Sequence, residues 1–381
     1  MESKKIFELL NKFFIFIFLC ICLSGCGFNK NNDVVILKFS TWGSASEMKI
    51  LKPIISEFET ENPNIKIELI HIPQDYFKKI HLLLASNLAP DIIFINNMNL
   101  PVYEKFLTDL SQYIDKKDFV KQSIDAMSYK GKLYALPRDV STLVVYYNKT
   151  LFDKKGLKYP NRNWTMDNMV LTAKRLTDKT AWGMSFEPQI YYALPYMHYY
   201  KGGILDSNGK EIYQDLKSQY GLSLYKNLAY KYHYAPTPAQ TGSKTQAQLF
   251  IEGKIGMHLS GRWMTPKYRE VVNFDWDVVN FPKYSASSDA SGWAISKNSK
   301  NKELALKFIL FLSCKKNIEK MASDGLIVPA RTDVINSHNF LKGKPLSSEI
   351  FLYSVKKSNI TNVSKKYNKI VDMLNDDIYQ Q

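Results

Sequence analysis

The stretch VILKFSTWG at residues 35–43 decides the fold class, because a strand-like apolar run ends there in a glycine-bearing loop. Four further segments alternate helix-like and strand-like patterns, at residues 46–58, 65–69, 75–86 and 91–95. The first of these repeats its apolar residues with a helical period, and Ser46 can cap it. Strand, helix, strand, helix and strand in this order predict a mostly parallel α/β sheet with helices on both faces.

The remainder of the chain continues this mixture of helix and strand. We predict a hairpin at 129–137, strands at 142–147, 255–259 and 276–281, helices at 164–176, 215–232, 246–252 and 301–312, and a mainly helical last fifty residues. About 350 residues normally form two domains. Because the sequence contains no internal repeat and no long low-complexity linker, the two lobes must be joined by several close strands.

The amino terminus has the pattern of an export signal. Three lysines precede an uncharged apolar run at 13–23, which is about half the length needed to cross a ~30 Å hydrocarbon core. The run ends in LSGC at 23–26, which resembles the lipobox of bacterial lipoproteins. This resemblance implies a signal peptide at 1–25, a diacylglycerol on Cys26 and a polar tether at 26–33. The alternatives are a cleaved signal with an accidental cysteine, or a spanning anchor, which the polar residues at 25–33 disfavour.

Cysteine usage predicts a mature protein without an intramolecular disulfide. Cys20 and Cys22 leave with the signal peptide, Cys26 carries the lipid, and Cys314 has no partner. The hydrophobic core alone must therefore hold the fold together.

The chain is strongly basic, with a formal net charge of +15, and loss of three Lys and two Glu with residues 1–25 leaves +14. The lysines are scattered, without a basic stripe or zinc-finger spacing, so we expect no nucleic-acid partner. The excess favours contact with an anionic membrane surface.

Several short motifs in the mature chain resemble those of the extracellular solute-binding proteins of family 1. They are FSTWG (39–43), APDII (89–93), GKLYALP (131–137), VYYNK (145–149), GKIGM (253–257), SGRW (260–263), SGWAIS (291–296), Lys307-Phe308 and VPAR (328–331). The resemblance implies a two-lobed α/β, periplasmic-binding-protein-like fold with a ligand cleft between the lobes. It places a three-segment hinge near 137–139, 283–291 and 326–330. The implied lobes are 34–137 with 291–328, and 138–290 with 329–381.

Candidate cleft residues follow the carboxyl ends of predicted strands, where open α/β sheets bind ligands. Trp42, Gly43 and Ser44 end the first strand, and Asn96 and Asn97 follow the strand at 91–95. Maltose-type relatives tend to place an aromatic and acid–base residues in the second of these loops. The amides here disfavour a long maltodextrin.

Other candidates come from the hinge and from the family motifs. Arg138 and Asp139 lie at the first crossing, and Glu187 falls where the family often places a polar contact. The resemblance adds Tyr191, Arg262, Trp263, Gly292, Trp293 and Arg331. Trp42 and Trp263 could instead be core residues, and Arg138 and Arg331 could only brace the hinge. The tyrosines at 191, 192, 196, 199 and 200 fit a helix face, so about half should be core, with Tyr191 and Tyr192 nearer the cleft.

Aromatic faces with planar polar groups suit a sugar, so we expect carbohydrate capture and delivery to the permease subunits of an ATP-binding-cassette importer. Arg138 and Arg262 leave glycerol phosphate or another phosphorylated polyol as an alternative. An enzyme is disfavoured because common catalytic motifs are missing and the six histidines are isolated, although a glycosidase carboxylate pair stays open. A surface adhesin is a further alternative. We expect a monomer without cofactor or metal, lipid-anchored on the outer face of the plasma membrane or in a periplasm.

Overall fold

A computed structural model describes residues 34–379 as two packed α/β halves. The predicted signal peptide, the tether and Cys26 lie outside these residues. Over residues 34–379 we find no helix with the length and apolar character that a membrane span requires.

Eleven strands form two larger sheets and one short hairpin. They are β1 (Val35–Thr41), β2 (Ile65–His71), β3 (Ile92–Asn96), β4 (Ser128–Tyr129), β5 (Lys132–Leu133), β6 (Leu136–Thr142), β7 (Val144–Asn148), β8 (Trp182–Met184), β9 (Ile255–Ser260), β10 (Trp276–Asn280) and β11 (Ser288–Ile295).

The α-helices cover the sheets and fill the connections between strands. They are α1 (Ala45–Glu61), α2 (Tyr76–Ala85), α3 (Leu100–Tyr103), α4 (Lys121–Ala126), α5 (Lys149–Lys154), α6 (Met166–Leu176), α7 (Ile190–Tyr199), α8 (Leu216–Tyr230), α9 (Pro238–Thr241), α10 (Gln246–Ile251), α11 (Thr265–Val271), α12 (Lys302–Leu312), α13 (Lys315–Ser323), α14 (Thr332–Ile335), α15 (Glu349–Lys357) and α16 (Tyr367–Tyr379).

The sheet of the N-terminal lobe has the order β2-β1-β3-β11-β6. The pairs β1–β2 and β1–β3 are parallel, as predicted from the alternation of strand and helix. The pairs β3–β11 and β11–β6 are antiparallel, so the expectation of a mostly parallel sheet is wrong for this half of the sheet. The reason is that β11 returns from the second sheet after β10, without the helical crossover that makes neighbouring strands parallel.

The second sheet has the order β10-β7-β9-β8, with β7 antiparallel to both of its neighbours. Successive residues of β7 point to opposite faces and enter different hydrophobic clusters. Val144 and Tyr146 join the cluster that continues into the first sheet, whereas Val145 and Tyr147 pack below α6 and α7. Burial on both faces explains why β7 reads as an uninterrupted apolar run.

The chain changes from one sheet to the other at neighbouring points. Leu143 separates β6 from β7, and residues 281–287 join β10 to β11. A third segment pairs with β6, where Val140 donates its N–H to Val328 (3.0 Å) and Ala330 donates to Arg138 (3.1 Å). These three connections lie side by side between the lobes.

Two helix starts test the capping predictions. Ser44, not Ser46, caps α1, since its hydroxyl accepts the N–H of Glu47 (3.2 Å). Ser46 lies inside the first turn and donates to Glu270 (3.2 Å). The helix predicted at 164–176 is confirmed as α6, and Thr165 caps it in a capping box with Asn168.

Gly292 lies where β11 approaches β6 most closely. A Cβ at this position would lie 2.3 Å from the carbonyl oxygen of Leu136, a backbone atom that cannot rotate away. We therefore expect Gly292→Ala to lower the free energy of unfolding by about 1–3 kcal/mol, the usual cost of overpacking. Urea titration of the apo protein measures this change.

Ser291→Ala is the matched control, because it changes the adjacent residue of β11 without adding a side-chain atom to the tight contact. Its effect should stay within about 0.5 kcal/mol. Equal stability of Gly292→Ala and wild type would contradict the close approach of the two strands.

Candidate ligand-binding cleft

A cavity of 570 Å³ lies between the two halves of the molecule, beside the three chain crossings. The loop after β1 and the start of α2 supply one wall. The opposite wall comes from the loop after β9, from α7 and from α16. Its lining includes Trp42, Gly43, Ser44, Glu47, Tyr76, Phe77, Asn96, Asn99, Arg138, Asp139, Tyr191, Arg262, Trp263, Asp289, Ser291, Tyr367, Asn368 and Asn375.

Aromatic rings reach the cavity from both walls. The Trp42 ring packs on Phe94 with 4.3 Å between centroids and on Tyr76 at 5.0 Å, so its orientation is held from behind. On the other wall, the Trp263 ring folds back over Gly261, where a Cβ would lie 1.9 Å from the ring. Both indoles are partly buried and keep part of their surface open. Such faces pack well against the C–H faces of a pyranose.

The cavity is bordered by a buried ion cluster. The Arg138 guanidinium donates to Glu47 (Nη1···Oε1, 2.7 Å) and to Asp139 (Nε···Oδ2, 2.6 Å), and it lies 4.2 Å from the ring centre of Phe94. Burial raises the pKa of both carboxyl groups, and the adjacent Arg138 charge opposes that rise. Two adjacent carboxylates thus offset the positive charge of Arg138, which disfavours an anionic ligand beside it.

Arg262 has its charge directed into the core. Its Nη2 atom donates to the carbonyl oxygens of Ala322 (3.2 Å) and Phe340 (2.7 Å), and its guanidinium lies 4.9 Å from the ring centre of Phe351. Burial lowers the pKa of Arg262 to about 10, so the group stays charged at neutral pH. We therefore expect Arg262 to contribute less to ligand contact than the neighbouring Trp263.

Nine of the fourteen predicted cleft residues line the cavity. They are Trp42, Gly43, Ser44, Asn96, Arg138, Asp139, Tyr191, Arg262 and Trp263. The helix predicted from the tyrosine spacing is α7, which buries Tyr196 and turns Tyr191 towards the cavity.

Trp293 and Gly292 lie elsewhere than predicted. Trp293 is only 1% exposed and packs in the core near Phe94, with 6.3 Å between ring centroids. Small residues beside Trp293 would also suit an exposed loop, but here Gly292 and Ala294 allow a central strand to pack tightly. Ser291 and Gly292 pair with Asp139 and Pro137, so the extra residue at this irregularity is Arg138 of β6. Trp293 lies further along β11, opposite Phe94 of β3.

Three other predicted residues also lie away from the cavity lining. Asn97 is buried, and its Oδ1 accepts the N–H of Ala290 (3.0 Å), so its side chain fixes β11. Glu187 is half-buried, and desolvation raises its pKa to about 7. Arg331 donates to Asp333 (2.9 Å) and packs on Phe119, as expected of a brace.

The sequence reasoning missed several lining residues. Glu47 lies one turn into α1, and Asp289 lies two residues before the SGWAIS motif, so both were within reach of a motif-based search. Tyr367, Asn368 and Asn375 belong to α16, which reaches the cleft only through tertiary packing. No local pattern in the sequence indicates that placement.

A family model described as bacterial extracellular solute-binding protein matches residues 54–345. The chain belongs to this family. Galactooligosaccharide-binding protein of Bacillus subtilis is 25% identical over 339 residues, which is 83% of this chain and 77% of that protein. Maltodextrin-binding protein MdxE of the same organism is 23% identical over 340 residues, covering 83% and 79%. Membership implies a location outside the cytoplasm.

Solved structures confirm the two-lobed fold. An ABC substrate-binding protein of Listeria monocytogenes, in complex with cycloalternan, superposes with a TM-score of 0.84 at 28% identity, covering 91% of this chain and 93% of that one. T. maritima MalE3 with maltose bound has a TM-score of 0.80 at 20% identity, covering 91% and 95%. UgpB of Mycobacterium tuberculosis, in complex with glycerophosphocholine, has a TM-score of 0.77 at 17% identity, covering 90% and 95%.

Trp293 and Trp263 form a matched pair that separates core from cleft. Trp293→Ala should lower the free energy of unfolding by about 3–5 kcal/mol, because it leaves a large cavity in the core. Trp263→Ala should cost much less stability, because its ring is partly exposed, and should instead weaken ligand binding. Urea unfolding of the two apo variants measures the difference. Equal losses of stability in the two variants would contradict these placements.

Proposed function

We propose that this protein captures a neutral carbohydrate in its cleft and delivers it to the permease subunits of an ATP-binding-cassette importer by closure of its lobes. The observation that carries the proposal is the pairing of aromatic faces on both walls with acceptor-rich polar groups. A sugar presents C–H faces to rings such as Trp42 and Trp263, and hydroxyl donors to carboxylates and amides. The relatives named for galactooligosaccharide and maltodextrin support this ligand class.

The charges of the cleft favour a neutral ligand over a glycerol phosphate. Among the described residues lining the cavity, the cationic side chains are Arg138 and Arg262. The first is paired with two carboxylates, and the second donates to backbone carbonyls in the core. A phosphate would meet three carboxylates of the lining, Glu47, Asp139 and Asp289, against only these two arginines, so the balance of charge is unfavourable to an anion.

The family is one of binding proteins, and we propose that this member is a monomer without catalytic activity or cofactor. We also propose that the lobes divide near the predicted boundaries, and that a lipid on Cys26 keeps the protein beside its permease. Membrane tethering would raise the concentration of loaded protein at the importer.

A ligand panel tests the proposed function. We expect maltotriose, mannobiose, a galactooligosaccharide or cycloalternan to raise the melting temperature by several degrees. A ligand at a hundredfold excess over Kd stabilises the folded state by about 2.7 kcal/mol. Differential scanning fluorimetry of the purified mature chain provides the measurement, with Trp263→Ala as the variant expected to lose the shift.

Two panel members represent the alternative, glycerol 3-phosphate and glycerophosphocholine. A shift with these compounds alone would replace the carbohydrate by a phosphorylated polyol. No shift with any compound would remove the transport proposal, and release of reducing sugar from the oligosaccharides would indicate a glycosidase.

The lipid anchor has its own test. Cys26→Ser should move the protein from the membrane fraction to the soluble fraction and abolish labelling by a clickable fatty acid. Cys314→Ser is the matched control, because it removes a thiol from the folded domain and should leave both readouts unchanged. Labelled, membrane-bound Cys26→Ser protein would exclude a lipid at this position.

A further inference from the structure

Asp289 is a buried carboxylate of the cleft, and none of residues 34–379 donates to it within hydrogen-bonding distance. It lies on β11 opposite Ser141 of β6, lines the cavity and is only 4% exposed. Neither of its oxygens accepts a hydrogen bond within 3.5 Å. A buried ionisable group left unpaired is costly, so its presence in a cavity points to a partner supplied from outside the chain.

Asp139 provides a direct comparison on the adjacent strand. It too is 4% exposed and lines the same cavity, but Arg138 donates to it at 2.6 Å. Asp139 thus has a cationic partner within the protein, whereas Asp289 has none among the described residues. The second ion pair of Arg138 goes to Glu47 and not to Asp289.

The groups that face Asp289 are neutral. They are the phenols of Tyr191 on α7 and Tyr367 on α16, the Thr361 hydroxyl and the Asn97 amide. Thr361 already donates to Ser287 (2.9 Å), whereas the Nδ2 group of Asn97 is buried without an acceptor. The donors of Thr361, Tyr191 and Asn97 lower the pKa of Asp289, but burial raises it more, so the protein offsets the desolvation of this carboxylate only in part.

We propose that Asp289 is the specificity-determining anchor of the cleft, accepting two hydroxyl donors of a neutral sugar. This assignment rests on the proposed function, since it names the part of a carbohydrate that the cleft recognises. A sugar hydroxyl both donates and accepts, so it can donate to the carboxylate while it accepts from Tyr191. Sugars whose hydroxyls at this point are deoxygenated or methylated would lose the anchor.

The anchor predicts a specific behaviour of the apo protein. Desolvation raises the pKa of Asp289 from 3.8 to about 6, so the folded state binds more protons than the unfolded state between these values. Its contribution to stability is therefore greatest below about pH 4 and is lost as the pH rises through 6. Asp289→Asn should melt higher than wild type at pH 7, and this difference should vanish near pH 4.

The closing experiment combines apo melting with calorimetric titration of maltotriose, mannobiose, a galactooligosaccharide and cycloalternan into full-length protein. For the sugar that wild type binds, Asp289→Asn should weaken binding about tenfold to a hundredfold, the usual effect of losing charge-assisted hydrogen bonds. Wild-type affinity should also fall as the pH drops below 6, and that dependence should be absent in the variant.

Two control variants separate anchoring from structure. Asp139→Asn should lower the apo melting temperature, because it breaks a buried ion pair. Asp372→Asn removes the same charge from the exposed face of α16 and should change neither readout.

The outcomes distinguish the two levels of the proposal. If wild type binds a sugar and Asp289→Asn binds it equally well, the anchor is excluded and the proposed function stands. A lower apo melting temperature of Asp289→Asn at pH 7, or its failure to fold, would make Asp289 a structural residue and also exclude the anchor. If wild type binds none of the four sugars, the proposed function falls, and the anchor falls with it.

Discussion

The insertion of β11 between β3 and β6 is the constraint on which the cleft depends. This strand comes directly from the second sheet, yet it hydrogen-bonds to both neighbours in the first. One end of β11 carries Asp289 and Ser291 into the cavity, and the other end buries Trp293 in the core. The position of the cleft floor therefore depends on the packing of the N-terminal lobe. A ligand that contacts β11 contacts a strand held by hydrogen bonds on both sides.

The charge of the cleft lining differs from the net charge of the chain. The chain is strongly basic overall, but both arginines that line the cleft have partners within the protein. Arg138 is neutralised by two carboxylates, and Arg262 is engaged by backbone carbonyls and aromatic rings. Net charge is therefore a poor guide to the ligand, because the local pairing of each charged group decides what the cavity presents.

The sequence predicted most of the fold, because its signals there are periodic and local. The alternation from β1 to β3, the helix at 164–176 and the helix containing Tyr191 all depend on neighbouring residues. Ser44 and Ser46 both carry a hydroxyl that can cap the start of α1. The prediction chose Ser46, whereas the structure uses Ser44.

The site was less predictable, because it assembles residues that are distant along the chain. Residues at strand ends, such as Trp42 and Asn96, could be identified from the edge of a parallel sheet. Small residues such as Gly292 and Ala294 occur both in open loops and in tightly packed strands. The sequence around Trp293 therefore did not distinguish a cleft position from a core position, and Trp293 was misplaced. Tyr367 reaches the cleft through packing of α16 that no local pattern encodes.

The position of β11 in the chain also has a consequence for folding kinetics. Asn97 and Ala290, which hydrogen-bond across β3 and β11, are 193 residues apart in sequence. The N-terminal sheet cannot be completed until the second sheet's strands have been synthesised, so the two lobes cannot mature independently. Contacts of such high sequence separation slow folding, because a long loop must close before they form. For a chain that crosses a membrane before it folds, this delay lengthens the time during which it remains competent for translocation.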